Sequence, residues 1–374
     1  MIPPDPPATE PRVHGEAIVY RLFDVGYGIA LDRAFDLLAS GAPERRRPSR
    51  GEAQTIQIPN PPVTASLGTE TLEIAGRPVE LEMSARVFDF GVVSLRARIG
   101  AQPALGWNAF AAWGATVGAA PWTDLFARVR DRLLTRIASA VEQANVSSIT
   151  EDYTVFRVHQ LLDGNGAPFP PSSLAGGDIA RLLLGEQRPL ALSTCTELMS
   201  PRYAYFEDDL AVLTWGTALV VEPVRHDTDV QYVLEFANAQ LLELRWYDAV
   251  LDAELPAIQT LLVQARQGFH LFGRRYSPLL ERLQRRVADS VELVERVENS
   301  LKVTDDVFLA RVYAQALEVF RGRVWRSGIE RKGAIVRGTY DMLNAESLAR
   351  RSETLELVVV ALIALEIVLA LFRH

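Results

Sequence analysis

An apolar run near the C-terminus constrains this chain more than any other feature. Residues 354–372 read TLELVVVALIALEIVLALF, in which Glu356 and Glu366 are the charged residues. At a rise of about 1.5 Å per residue, a helix of this length spans a hydrocarbon core of about 30 Å. The run therefore predicts a C-terminal transmembrane helix, that is, a tail-anchored protein. The alternatives are a helix buried in a protein core and an amphipathic helix at the membrane interface.

The residues around the run predict its orientation. Arg350 and Arg351 lie between the body and the run, whereas Arg373 and His374 are the residues that would cross the membrane. Short flanking segments rich in arginine stay on the cytoplasmic side. The N-terminus shows no charged and then apolar signal segment. We therefore expect a single-pass protein of the inner (cytoplasmic) membrane, with its soluble body in the cytoplasm.

Composition and net charge indicate what kind of protein the body is, that is, the part of the chain before the apolar run. Hydrophobic residues make up 48% of the 374 residues, which is typical of a globular protein. The formal net charge is −8 and the sequence holds no long basic run, so we expect no direct binding of nucleic acid. The single cysteine, Cys195, cannot form an intramolecular disulfide, which suits a reducing compartment. It lies in a run that reads as a strand with a small buried thiol.

The order of predicted elements favours an α+β fold. Both halves of the body read as strand, helix, two or more strands and a long helix, which predicts duplicated strand-helix-strand-strand-helix units that share one sheet. Coincidence stays open as the alternative, because alternating strands resemble one another. The predicted organisation is a disordered tail (1–14), a first α+β unit (15–150), a second α+β unit (151–266), a helical stalk (267–353) and the transmembrane anchor (354–372).

Heptad spacing marks part of the stalk. Leu280, Val287, Val294 and Leu301 recur every seven residues. Three heptads predict either a helical hairpin or a coiled-coil seam, and the pattern does not choose between them. The stalk is therefore a candidate for contacts in a homo-oligomer.

The chemistry-bearing residues form no catalytic pattern. The five histidines are dispersed, which removes the common zinc spacings. Gly26 and Gly28 follow a strand, but Leu31 stands where a dinucleotide fingerprint needs its third glycine, so we predict a glycine turn. The acidic pairs 208–209 and 305–306 read as a turn and a helix cap. We predict no catalytic residue, no metal site and no cofactor.

An amphipathic stretch in the second half carries large polar and aromatic residues. Phe236, Gln240, Glu243 and Tyr247 fall near one line of a predicted helix over residues 230–266. One interpretation is a helix packed across the sheet and held there by its polar side chains. The other is a surface that binds a partner protein.

The C-terminal run resembles the family named for "required for meiotic nuclear division" proteins. The shared pairs are Leu355 with Glu356, Leu362 with Ile363, and Glu366 with Ile367, although Leu357 replaces the tryptophan of that family. Residues 210–215 and the helices that follow also look similar. The resemblance implies a divergent bacterial relative, a membrane-anchored α+β protein without an established enzymatic activity. The paired residues would then contact the membrane or neighbouring helices.

Two functional hypotheses follow. The first is a non-enzymatic scaffold or tether, whose partners are the lipid membrane and either further copies of the chain or a partner protein. The second is a membrane-surface enzyme with a pocket between the two α+β halves.

Overall fold

The computed structural model describes residues 10–41, 43–44, 60–186, 188–199, 202–223, 229–266, 285, 288 and 307–372. These residues form a mixed α+β fold with one large sheet and several helices, which confirms the predicted fold class. The predicted heptads over residues 280–301 lie outside the described residues, except for Arg285 and Ala288.

The described strands and helices follow the chain closely. The strands are β1 (Arg12–Asp24), β2 (Gly28–Ile29), β3 (Val63–Ile74), β4 (Arg77–Val87), β5 (Val92–Gly100), β6 (Leu105–Gly106), β7 (Val141–Glu142), β8 (Thr150–Leu162), β9 (Leu210–Leu213) and β10 (Thr217–Val221). The α-helices are α1 (Leu31–Leu37), α2 (Trp107–Gly118), α3 (Trp122–Ile137), α4 (Gly176–Leu184), α5 (Leu192–Leu198), α6 (Asp229–Arg266), α7 (Val307–Val319) and α8 (Gly322–Phe372).

The large sheet has the order β3-β4-β5-β1-β8-β10-β9, with β6 also paired to β1. β1 and β8 are its long central strands, and they pair antiparallel from Arg12 with Leu162 to Phe23 with Thr150. Nearly every residue from Ala17 to Asp24 is buried, because both faces of the sheet are covered at this position. The residues on either side of position 150 thus contribute to one sheet.

The two halves differ in strand direction. β5 runs antiparallel to β1, whereas β10 runs parallel to β8. A two-fold axis between β1 and β8 would require the same relation in both halves, so the predicted duplication is not supported. The sequence resembles a repeat because alternating apolar residues mark a strand without fixing its direction or its neighbour.

One predicted element type and one predicted boundary need correction. The run around Cys195, predicted as a strand, forms helix α5, and Cys195 is a buried free thiol within it. The predicted tail 1–14 overlaps β1, which begins at Arg12.

One face of the sheet carries the main apolar core. Side chains alternate along a strand, so Val13, Ala17, Val19 and Phe23 of β1 share one face. Helices α1 to α4 cover this face. Their core residues include Ala34, Phe110, Leu125, Phe126, Val129, Leu133, Ile179 and Leu182. The 3.6-residue spacing in α3 follows from this contact.

The chain divides into two compact units. Unit 1 comprises residues 1–246 and 296–323, and unit 2 comprises residues 247–295 and 324–374. In unit 2, Lys332 Nζ of α8 lies 2.7 Å from Asp248 Oδ1 and 2.7 Å from Asp252 Oδ1 of α6. Burial lowers the pKa of Lys332, but hydrogen bonds to both carboxylates leave the pKa raised overall.

The C-terminal run lies in α8, which continues as one helix to Phe372. Among the residues that the structure describes, no helix combines the length and the apolarity that a membrane crossing requires. The predicted transmembrane helix is therefore not supported by the described residues.

Candidate functional site

Unit 1 contains a layer of charged side chains between the second face of the sheet and the first half of α6. At its centre is Glu235 of α6, whose side chain is fully buried. Arg86 Nη1 of β4 donates a hydrogen bond to Glu235 Oε2. Arg96 of β5 places Nη1 4.0 Å from the same oxygen. Two adjacent strands thus direct an arginine at one carboxylate of the covering helix.

Neighbouring groups fix both arginines. Arg86 Nε donates to Thr64 Oγ1 at 3.1 Å, and its guanidinium lies 4.5 Å from the centroid of the Tyr232 ring. Arg96 Nε donates to Ser84 Oγ at 3.0 Å. Even-numbered positions of β4 and β5 share this face, which explains why the hydroxyl and guanidinium groups meet there.

Two more carboxylates extend the layer. Glu16 of β1 forms an ion pair with the buried Arg157 of β8, and its Oε1 lies 3.7 Å from Arg98 Nε. Glu151, at the start of β8, pairs with Arg245 of α6. Burial raises the pKa of Glu151, and the Arg245 charge lowers it in part. Buried charges require partners, so the Glu151–Arg245 pair helps to hold α6 on the sheet, whereas the Glu16–Arg157 pair links two strands of the sheet.

A pocket adjoins this layer on strands β3 to β5. It encloses about 370 Å³, and its lining residues all lie between positions 44 and 98. The second hypothesis placed a pocket between the two predicted halves, whereas this pocket belongs entirely to the first half.

Asp24 is a separate buried acid at the end of β1, and it is 3% exposed. The Gly26 amide donates to Asp24 Oδ1 at 3.3 Å, whereas Oδ2 has no hydrogen-bond partner among the described atoms. Burial raises the pKa of Asp24 to about 7, although the Gly26 hydrogen bond opposes the shift. The carboxyl group therefore titrates near neutral pH.

The predicted partner surface lies against the chain itself. The Phe236 ring centroid is 6.0 Å from that of Phe88 and 6.1 Å from that of Tyr313 in α7. The Tyr313 hydroxyl donates to Gln240 Oε1. Gln240, Glu243 and Tyr247 are at most 8% exposed.

The other residues singled out in the sequence that the structure describes lie in strand β2, in a turn and on helix α8. Gly28 belongs to β2, which pairs with β7 after the predicted glycine turn. Asp209 is buried, and its Oδ1 accepts a hydrogen bond from the Tyr205 amide at 2.7 Å, which fits the predicted turn. The pair 305–306 lies outside the described residues. Of the predicted anchor residues, Glu356, Leu362, Ile363 and Ile367 are exposed on α8, and the side chains of Leu355 and Glu366 lie outside the described set. Within the described part of the chain, no three His, Cys, Asp or Glu residues group as metal ligands.

The charged layer was not predicted. Its signal in the sequence is the alternation of Arg86, Arg96 and Arg98 with apolar residues in strands, together with Glu235 inside an apolar helix. Alternation alone reads as one buried and one solvent-exposed face. It does not show that a helix covers the polar face.

Comparison with known proteins identifies relatives whose function is not established. The family model described as "Uncharacterized protein MJ0711, N-terminal domain" matches residues 14–228. The uncharacterized protein MJ0711 of Methanocaldococcus jannaschii is 22% identical over 250 residues, which cover 67% of this chain and 74% of that protein. No solved structure matches the chain. The resemblance to the "required for meiotic nuclear division" family is therefore wrong, because the matching family and the archaeal relative are different ones. That resemblance rested on short, mostly apolar motifs, which many helices share.

The buried acid gives a pH-dependent prediction. Because the folded-state pKa of Asp24, about 7, lies above its ordinary value of 3.8, Asp24 favours folding below about pH 4, and this contribution is lost as the pH rises through 7. Asp24→Asn should therefore gain stability relative to the parent between pH 4.5 and pH 8. At about 1.4 kcal/mol per pKa unit, the gain is at most about 4 kcal/mol. Urea unfolding at the two pH values measures this difference in the free energy of unfolding.

Asp36→Asn, at an exposed position of α1, is the matched control and should show no such gain. The same stability difference for Asp24→Asn at both pH values would contradict the assignment.

Proposed function

We propose, for a chain that belongs to the family of the MJ0711 N-terminal domain, a role as a non-enzymatic scaffold that its C-terminal segment holds at the cytoplasmic membrane. The body, including the sheet and the charged layer, would lie in the cytoplasm. Its partners would be the lipid bilayer and a second copy of the chain.

The observation that carries this proposal is the exposure of large apolar side chains at the end of α8. Six of them are between 51% and 63% exposed, namely Val359, Val360, Leu362, Ile363, Leu365 and Ile367. At about 100° per residue, these positions point to most sides of the helix. Exposed apolar surface of this extent marks a site that lipid or protein covers. A bilayer covers a helix on every side, so it is the occupant that we propose.

The charged layer supports a structural role for the body. Glu235, Glu16 and Glu151 are each paired with arginine from another element. The pairs of Glu235 and Glu151 join α6 to the sheet, and the pair of Glu16 joins two strands, so all three carboxylates are engaged within the fold. Because the three carboxylates are paired with arginines within the fold, a scaffold is favoured over a catalytic centre built from the same residues.

Glu366 is the basis for proposing a second copy as partner. It lies inside the apolar run, where an ionised carboxylate costs about 2.5–3.5 kcal/mol or more. A hydrogen bond to the same helix of another copy would offset part of this cost. Such contacts in membranes contribute about 0.6 kcal/mol on average.

Truncation tests the location. Deleting residues 353–374 should move the protein from the membrane fraction to the soluble fraction, because the exposed apolar side chains are removed with the segment. Sedimentation after a carbonate wash is the measurement. Deletion of residues 1–9 at the other terminus is the control and should leave the distribution unchanged. If the C-terminally truncated protein still sediments with membranes, the proposal is wrong.

Substitution of Glu366 tests the contact between copies. Glu366→Leu should keep the protein in the membrane but reduce its crosslinking yield, because the hydrogen-bonding carboxyl group is lost. Glu366→Gln retains hydrogen bonding and should keep the parental yield. Equal yields for Glu366→Leu and the parent at matched expression would show that Glu366 does not join the copies.

A further inference from the structure

The pocket on strands β3 to β5 has a buried basic floor and an acidic rim. The floor contains Arg96, which is 5% exposed, and the rim contains Glu44 and Glu82, which are both exposed. Arg98 lies between floor and rim with a side-chain exposure of 32%. Four residues with hydroxyl groups also line the pocket, namely Thr64, Ser66, Thr69 and Ser84, together with Ala65, Gly68 and Met83.

The fold holds the two arginines in place. Arg96 is fixed by Ser84 Oγ at 3.0 Å and by the nearby carboxylate of Glu235. Arg98 lies 3.7 Å from Glu16 Oε1 and 4.0 Å from Glu82 Oε2. The guanidinium groups are thus positioned in advance of any ligand, which lowers the entropic cost of binding.

An irregularity in β3 shapes the pocket. The register between β3 and β4 shifts between Ser66 and Gly68, and both residues line the pocket. A β-bulge bends the strand and redirects its side chains, and such bulges are frequent beside functional sites. Gly41 approaches the same point so closely that a Cβ there would lie 2.4 Å from the Ser66 carbonyl oxygen.

We propose that this pocket binds a small phosphomonoester that also carries hydroxyl groups, the chemistry of a sugar phosphate. Arg96 and Arg98 bind the phosphate group, since the planar guanidinium fork matches phosphate oxygens. The serine and threonine hydroxyls donate further hydrogen bonds to it. Glu44 and Glu82 accept hydrogen bonds from the hydroxyl groups of the ligand. A volume of about 370 Å³ is within the range of small-molecule sites.

The charge around the pocket favours a free ligand over a lipid headgroup. Glu73, Glu80 and Glu82 are exposed on the β3–β4 hairpin, and Glu82 also lines the pocket. These carboxylates would repel the many negative charges of an anionic bilayer surface more strongly than the single phosphate group of a small soluble ligand.

Calorimetry on the full-length protein in detergent tests the proposal, with glucose 6-phosphate, inorganic phosphate and glucose as probes. Glucose 6-phosphate should bind more tightly than inorganic phosphate, and glucose should not bind. Arg98→Gln should weaken glucose 6-phosphate binding about tenfold or more, because it removes a charged donor. Arg77→Gln, at the exposed turn of the same hairpin, is the matched control and should bind like the parent.

A second variant distinguishes a loss of binding from a loss of folding. Arg96→Lys retains the buried charge but loses the planar fork, so it should unfold like the parent by circular dichroism and still bind glucose 6-phosphate more weakly. Three results would overturn the proposal: glucose 6-phosphate does not bind the parent, it binds no better than inorganic phosphate, or it binds equally well to the parent and to folded Arg98→Gln. None of these results depends on where the protein is located in the cell.

Discussion

The buried carboxylate of Glu235 constrains unit 1 more than any other single group. It projects from the sheet-facing side of α6 and faces Arg86 and Arg96, which come from adjacent strands. Removing such charges from water costs several kcal/mol per ion, and only close partners offset that cost. α6 must therefore dock with Glu235 opposite these two strands, because a shift along the sheet would leave three charges without partners. A specific polar contact thus fixes the position of a helix that apolar packing alone would hold less selectively.

Other features of unit 1 follow from this docking. With α6 in place, Gln240 and Phe236 meet Tyr313 of α7, so that a segment far along the chain also packs against this helix. The carboxylate of Glu235 also fixes the position of Arg96, which lies at the floor of the pocket. The proposed ligand site and the charged layer therefore share a residue, and an occupied pocket would alter the electrostatic surroundings of Glu235.

Much of the secondary structure could be predicted from the sequence, but the assembly could not. The apolar spacing of α3 and α6 and the alternation in β1 and β8 are local signals, and the structure confirms those elements. The parallel pairing of β8 and β10 is a long-range choice that alternation does not encode. The pair Arg86 and Glu235 is separated by 149 positions. Each residue alone reads as an ordinary solvent-exposed charge. The contact between them depends on the three-dimensional arrangement of the strands and the helix, which local patterns do not encode.

A double-mutant cycle on Arg86 and Glu235 tests this account most directly. Each single change, Arg86→Met or Glu235→Leu, should lower the free energy of unfolding by about 3–5 kcal/mol, because one charge stays buried without its partner. The double variant should lose less than the sum, with a coupling energy of at least about 1.5 kcal/mol in urea unfolding. The exposed pair Arg323 and Glu318 serves as the control, with an expected coupling below about 1 kcal/mol. Additive losses for Arg86 and Glu235 would show that this contact does not hold α6 on the sheet.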